Sequence, residues 1–311
     1  MPISDFSIIV VLDLNIPLPA SAWQRLGEYL RETQLLGSIQ NTLYWDQNTS
    51  MPSSGFCWRG EQLSLIARYL HSRLSDNYFE ELILEAKIEY EEYLSNGDFT
   101  EDENIERYRN LELLEQELSR RKRIDPELVV KLAEAKSIGY MQWKQAKSDA
   151  NFQHFAPALS HLIVLRKEEA SQIGFSSSSW ETLAQPFEPD LRIDRLEELF
   201  KPLRERLSEM VREINSFEFD SFDPWDIDEQ SQHDLCGQLL REWGRDEKIS
   251  RLDQSPHPFS ITLGPKDFRL TTRIVEGKPL SCFLATAHEW GHSLYEQGLP
   301  SQTHQWFAWP L

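Results

Sequence analysis

Residues 288–292 read His-Glu-Trp-Gly-His, two imidazoles four residues apart with a carboxylate directly after the first. On an α-helix, positions i and i+4 share one face, a turn apart. Two neutral rings so placed can hold one Zn2+ at about 2.0–2.1 Å each. Glu289 then projects beside the ion without binding it, placed to take a proton from a water that the metal activates. Zinc lowers the pKa of such a water to roughly 7, so hydroxide is available at neutral pH to attack a peptide carbonyl, and Glu289 hands the proton to the leaving nitrogen. The plainer alternative is a pair of structural helix histidines, since composition alone yields HExxH in about one chain in a hundred of this size.

The surroundings favour the metal reading. Pro279 stands where a helix would start, Gly298 and Pro300 where it would stop, and Leu280, Phe283, Leu284 and Ala287 offer an apolar face expected to bury it. A zinc site of this kind needs a third protein ligand, with a fourth position left open. Glu296 lies eight residues after His288, about 12 Å along the axis, too far to complete the site, so it reads as a supporting or surface group. His304 follows the Gly298 turn at a spacing that fits no ligand pattern. The ligand set is therefore incomplete within residues 288–311.

The elements that must position this motif are mostly helical. Leu26, Tyr29, Leu30, Thr33 and Leu36 follow a 3.6-residue spacing between Trp23 and Tyr44, which Met51-Pro-Ser-Ser-Gly55 interrupts. Helices are also expected over Glu61–Leu74 and Asn77–Leu94, the latter closed by Asn96-Gly97-Asp98, and around Leu111, Leu114 and Leu118. Asp125-Pro126 reads as a cap and first position of a helix that runs past Trp143 and breaks near Asn151. Helix resumes through Leu159, Leu162 and Ile163, Ser176–Ser179 reads as a loop, and Asp194–Ile214 and Gln230–Trp243 as helices around an acidic connector, Phe217–Glu229. Two strands, Ser260–Leu263 and Phe268–Ile274, are expected on either side of Gly264-Pro265-Lys266, just before the HExxH helix.

Composition sets limits on partners. The 311 residues carry 32 Lys+Arg against 51 Asp+Glu, a net charge of −19, which repels phosphate backbones and anionic lipid and disfavours nucleic acid or a membrane as partner. The three cysteines, Cys57, Cys236 and Cys282, are odd in number and widely spaced, which argues against a disulfide framework and for the cytoplasm. The apolar start Ser7–Leu14 is interrupted by Asp13 and lacks a basic leader, so it reads as a strand or an unordered start rather than a signal.

Several stretches together resemble the carboxypeptidase Taq family of zinc metallocarboxypeptidases. His288-Glu-Trp-Gly-His-Ser-Leu-Tyr-Glu-Gln-Gly-Leu-Pro300 is close to the family's HEFGHALYEQGLP. His257-Pro-Phe259 resembles its HPF motif, Asp267-Phe-Arg269-Leu-Thr271 its DxRxT segment, Trp45-Asp-Gln-Asn-Thr-Ser-Met-Pro52 its WDxxTxMP stretch, and Phe187-Glu-Pro189 its YEPG. The matches keep the family's order from about residue 35 to residue 300. The resemblance implies a mainly α, multi-helical zincin-like peptidase fold with a small β-sheet beside the HExxH helix. It implies Zn2+, with Co2+ or another divalent metal as the alternative, peptide substrates and a homodimer. By position it makes His288 and His292 metal ligands and Glu289 the general base, and it puts Arg269 and His257 near the substrate groove. An Arg fork suits a terminal carboxylate; the alternatives are a structural salt bridge for Arg269 and a turn residue before Pro258 for His257.

In the family the third ligand is a Glu in a helix some tens of residues after the second His. From Ser301 to Leu311 the chain leaves the pattern, so a C-terminally truncated member is expected. Its parts are a poorly matched segment 1–20, a metallocarboxypeptidase portion 21–300 and a divergent tail 301–311. Two functions follow from the resemblance. One is a metallocarboxypeptidase that releases single amino acids from peptide C-termini. The other is an inactive peptide- or partner-binding remnant, or one half of a split enzyme.

Overall fold

The computed structural model describes residues 20–97, 100–174, 178–218 and 227–299. Ser7–Leu14, the tail from Ser301 with His304, and residues 219–226 of the connector lie outside them.

Local chemistry sets the helix ends. α1 (Ala22–Thr49) opens on a reciprocal cap, in which Ser21 Oγ accepts from Gln24 N at 3.1 Å and Gln24 Oε1 accepts from Ser21 N at 3.0 Å. α2 spans Phe56–Ser75. α3 (Asn77–Asn96) is capped by Asp76 and ends on Gly97 at φ 74°, a left-handed conformation that glycine adopts without steric cost. α4 (Glu101–Lys122) has three acidic residues in its first turn and three basic ones in its last, which complements the helix dipole. Leu26, Leu30, Leu74, Phe79, Leu82 and Leu114 join these four helices in the largest core cluster. α5 (Pro126–Ser148) starts as expected, with Asp125 accepting from Glu127 N at 2.8 Å, and packs through Leu128 and Leu132 on Leu165 of α6 (Ala156–Ile173).

Of the expected Ser176–Ser179 loop, Ser176 and Ser177 lie outside the described residues, and Ser179 is already helical. Ser178 caps a six-residue helix α7 (Ser179–Ala184) by accepting from Glu181 N at 3.1 Å. α8 (Ile193–Asn215) follows with no buried residue, and α9 is Glu229–Glu242.

Among the described residues three strands, not two, precede the HExxH helix. β1 (Ser250–Gln254) pairs in parallel with the central β3 (Asp267–Thr272), which pairs antiparallel with β2 (Ser260–Gly264). β1 escapes sequence reading because Ser-Arg-Leu-Asp-Gln has one apolar residue, Leu252, and its partner is the non-adjacent strand, where Leu252 stands opposite Leu270. α10 (Pro279–Gly298) carries the HExxH motif.

The buried face of α10 is also not the expected one. Leu280 and Leu284 are 56% and 64% exposed, and Phe283 and Ala287 are only half-buried. The inward side chains are Cys282, Thr286, Glu289, Trp290 and Ser293. Small residues early in the helix admit close approach, with Cys282 Sγ 3.6 Å from Cys236 Sγ of α9 and the Cys282 carbonyl accepting from Thr272 Oγ1 at 3.0 Å. Trp290 then packs with Leu240 and Leu270 in a third, smaller core cluster. The rotation follows these contacts with α9 and β3, and it carries the large Trp290 ring into the core.

Candidate active site

Turning α10 on its Cys282–Trp290 face leaves His288 and His292 exposed and Glu289 buried between them and the core. The two rings meet edge-on, centroids 4.8 Å apart at 84°, with His288 Nε2 3.2 Å from His292 Nε2. Two nitrogens bound to one tetrahedral zinc at 2.0–2.1 Å would stand about 3.3 Å apart, so the rings already hold chelate spacing. Glu289 has 7% of its surface exposed and has no hydrogen bond or ion pair among the described residues. Among those residues no group of three His, Cys, Asp or Glu side chains converges on a common point. Two imidazoles and an adjacent carboxylate thus fit a metal, with the ligand set incomplete.

A groove of about 940 Å3 opens beside this face, lined by Glu289, His292, Tyr295 and Glu296 of α10, by Arg269 of β3, and by His257 and Phe259. His257 and Arg269 therefore line the same groove as Glu289 and His292. Glu296, read as a supporting or surface group, lines it too. Its Oε2 is buried without a partner, and burial pushes its carboxyl above the usual range, an effect that nearby His292 opposes.

The 255–259 turn is held by β3. Thr271 N donates to Phe259 O at 2.8 Å and Phe259 N donates to Thr271 Oγ1 at 3.0 Å. Ser255 Oγ donates to the His257 carbonyl at 2.6 Å and accepts from Thr271 Oγ1 at 2.6 Å, which gives each hydroxyl hydrogen one acceptor. Phe259 then packs edge-on to Tyr44 (5.7 Å) and tilted to Trp45 (5.5 Å), while the His257 ring meets Trp143 at 6.3 Å. On the α1 side, Ser38 Oγ donates to the Leu263 carbonyl, and Asn41 Nδ2 donates to that of Thr262 at 3.1 Å. The WD, HPF and DxRxT stretches, more than two hundred residues apart at their extremes, thus meet at one wall.

Arg269 lies with its Cζ 5.6 Å from the Trp45 ring centre, and it donates through Nε and Nη2 to the two oxygens of Asp267, each at 2.8 Å. That bidentate pair leaves Nη1 as the donor for a ligand. Asp46 is taken by Arg59 at 2.6 Å, so it anchors α1 to α2. Phe187 is 86% exposed and stands in the turn after α7, outside the groove lining. Sequence reasoning missed Tyr295 and the α1 residues Arg31 and Gln34, which also line the groove; the helical period of α1 was the available signal.

The model of the carboxypeptidase Taq (M32) metallopeptidases matches residues 25–310. Thermostable carboxypeptidase 1 of Thermus thermophilus is 31% identical over 299 residues, 91% of this chain and 56% of its own length. Among solved structures, the BsuCP crystal structure superposes with a TM-score of 0.81 at 26% identity, covering 90% of this chain and 55% of that one. An M32 carboxypeptidase from Deinococcus radiodurans R1 gives 0.75 at 25%, covering 92% and 56%. The chain spans about half the length of the relatives it matches.

Proposed function

Because the chain belongs to the carboxypeptidase Taq (M32) metallopeptidase family, we propose that it acts on peptides as a metallocarboxypeptidase, hydrolysing the C-terminal peptide bond to release single amino acids. The observation that carries this reading is the pair of Nε2 atoms 3.2 Å apart with the Glu289 carboxylate next to them. A divalent cation held by His288 and His292, zinc by preference for two imidazoles and Co2+ or another divalent ion as the alternative, supplies Lewis acidity to a peptide carbonyl and to a water. Glu289 accepts the proton that this water loses as it attacks the carbonyl carbon, and delivers it to the leaving amine nitrogen. Arg269, through Nη1, and His257 bind the peptide along the groove. Glu289 opens onto the groove from a buried position, where a low-dielectric wall strengthens its charge interactions.

The test is metal analysis of the purified chain together with amino-acid release from an N-terminally blocked peptide under zinc or cobalt. Bound metal and release are expected; no release at any metal concentration overturns the enzymatic reading for this chain. His288→Ala is expected to weaken metal binding by at least about 100-fold, beyond the loss seen when a ligand's outer hydrogen-bond partner is removed; unchanged metal content removes both rings from the site. The presence of only two converging donors among the described residues favours a second reading, a peptide- or partner-binding remnant or one half of a split enzyme. Weak metal binding and no turnover, with peptide binding retained, would select it.

We also propose a homodimer located in the cytoplasm, without nucleic-acid or membrane partners. The net charge of −19 supports the last point, and no helix among the described residues is long and apolar enough to cross a membrane. α8 supports self-association. Its apolar residues repeat every seven positions, Ile193, Phe200, Leu207 and Ile214 alternating with Leu196, Leu203 and Met210, the pattern of a two-helix seam. Glu197 and Arg204 flank that stripe one heptad apart, so in an antiparallel pair each faces its opposite charge on the other copy. Leu203→Glu with Leu207→Glu is expected to convert a dimer to a monomer in sedimentation velocity; a monomeric parent chain refutes the seam.

A further inference from the structure

Beyond the groove, a second cavity of about 670 Å3 lies among α1, α2, α4, α5 and α6. It adjoins the first, since Gln40, Asn41, Ala67, Arg121 and Val129 line both. Its charge runs against that of the molecule. Arg120, Arg121, Lys136 and Arg166 line it against one carboxylate, Glu169, which pairs with Arg166. Glu117, outside the lining, pairs with both Arg120 and Arg121. Four cations against these two carboxylates leave two positive charges, on a chain of net charge −19.

Lys136 is the cation without an ion-pair partner among the described residues. It stays reachable from solvent, yet the surrounding protein strips part of its hydration and Arg166 repels it, and both lower its pKa. An anion placed beside it would relieve both effects. Of the other titratable groups facing the cavity, Glu169 attracts Lys136 but is itself paired with Arg166, burial and Arg121 lower the pKa of His71, and burial pushes the Tyr140 hydroxyl up to about 12. Tyr140 and Trp143 give the cavity aromatic sides against which an aliphatic stem can lie.

Position supplies the scale. Val129, at the junction, and Lys136 are seven residues apart on α5, about 10 Å along the axis, which an extended peptide covers in about three residues.

We propose that this cavity is a subsite for acidic side chains of a peptide in the groove, three or more residues upstream of the carboxyl end presented to His288 and His292. The proposal rests on the peptidase reading above, and Lys136 is its specificity-determining residue.

The test is fluorescence anisotropy with the full chain in a chelator, which prevents turnover, at low salt. The probes are fluorescein-labelled Glu-Glu-Glu-Ala-Ala-Leu and Gln-Gln-Gln-Ala-Ala-Leu. The Glu peptide is expected to bind about tenfold more tightly, the scale of one charge-assisted contact, with the difference shrinking as salt rises. Lys136→Gln should reduce the preference to about twofold and Lys136→Glu should reverse it, with binding of the Gln peptide unchanged in both. Equal binding of the two peptides, or a preference that survives Lys136→Glu, overturns the subsite and leaves the peptide groove standing. Failure of both peptides to bind overturns the groove reading and the subsite together.

Discussion

Glu289→Gln is expected to lower peptide hydrolysis by about 10²–10⁴-fold, the range for losing a positioned general base, and to leave metal uptake intact. Gln keeps the shape and the buried position but cannot accept the proton of the attacking water, while the His288 and His292 rings are untouched. The folding response separates this role from a structural one. Glu289 is a carboxylate with 7% exposure and has no hydrogen bond or ion pair among the described residues. Burying such a charge costs free energy, so the neutral variant should be as stable as the parent or more stable by about 1 kcal/mol. Parallel measurement of amino-acid release, metal content and the urea midpoint decides the matter. Loss of activity together with loss of stability would mark Glu289 as a structural residue.

Trp290→Ala is expected to cost about 3–5 kcal/mol, the range for removing a large buried aromatic. Trp290 is 2% exposed and packs with Leu240 of α9 and Leu270 of β3, with Leu252 of β1 alongside. This cluster has three fully buried members, against thirteen in the cluster joining α1 to α4, so no neighbouring side chain can fill the space. It is also what holds α10 at its angle, and metal affinity should fall with stability. Trp290→Phe separates packing from polarity. It keeps most of the ring and removes an indole Nε1 that is buried without a partner, so it should cost far less than the Ala variant. A urea-midpoint shift worth under about 1 kcal/mol for the Ala variant would show that α10 is held by other contacts.

The sequence is most informative where local rules act alone. The Asp125-Pro126 start, the Gly97 stop and the inward row Leu26, Tyr29, Leu30 and Thr33 of α1 all stand as read, because each is decided within a turn of helix. The motif's own geometry is of this kind: i, i+4 spacing brings His288 and His292 together whatever the rest of the chain does. The groove wall is different. That Thr271 would hold the His257 carbonyl through Ser255, or that Phe259 would pack on Trp45, depends on a strand order that places β3 between β1 and β2. No spacing along the chain encodes that order. The rotation of α10 was misjudged for a related reason. Counting apolar positions favours Leu280 and Leu284, but the choice is made by where α9 and β3 can approach, at Cys282 and Thr286. The resemblance to the family singled out His257 and Arg269, which line one groove, without explaining why they meet. Bidentate pairing with Asp267 gives Arg269 a structural role beside any part in binding.

The His288 and His292 Nε2 atoms stand 3.2 Å apart, close to the spacing that two ligands of one tetrahedral zinc would take. A hydrogen bond between these nitrogens puts the donor ring's hydrogen on Nε2, so capture of a dication requires that ring to switch tautomer, its one N–H moving to Nδ1, with no net proton lost. Only a ring with a free Nε2 lone pair binds the ion, so loading should weaken in acid, with the backbone of α10 left where it was. The helix behaves as a ready-made clasp, and its occupancy is governed by proton concentration rather than by refolding.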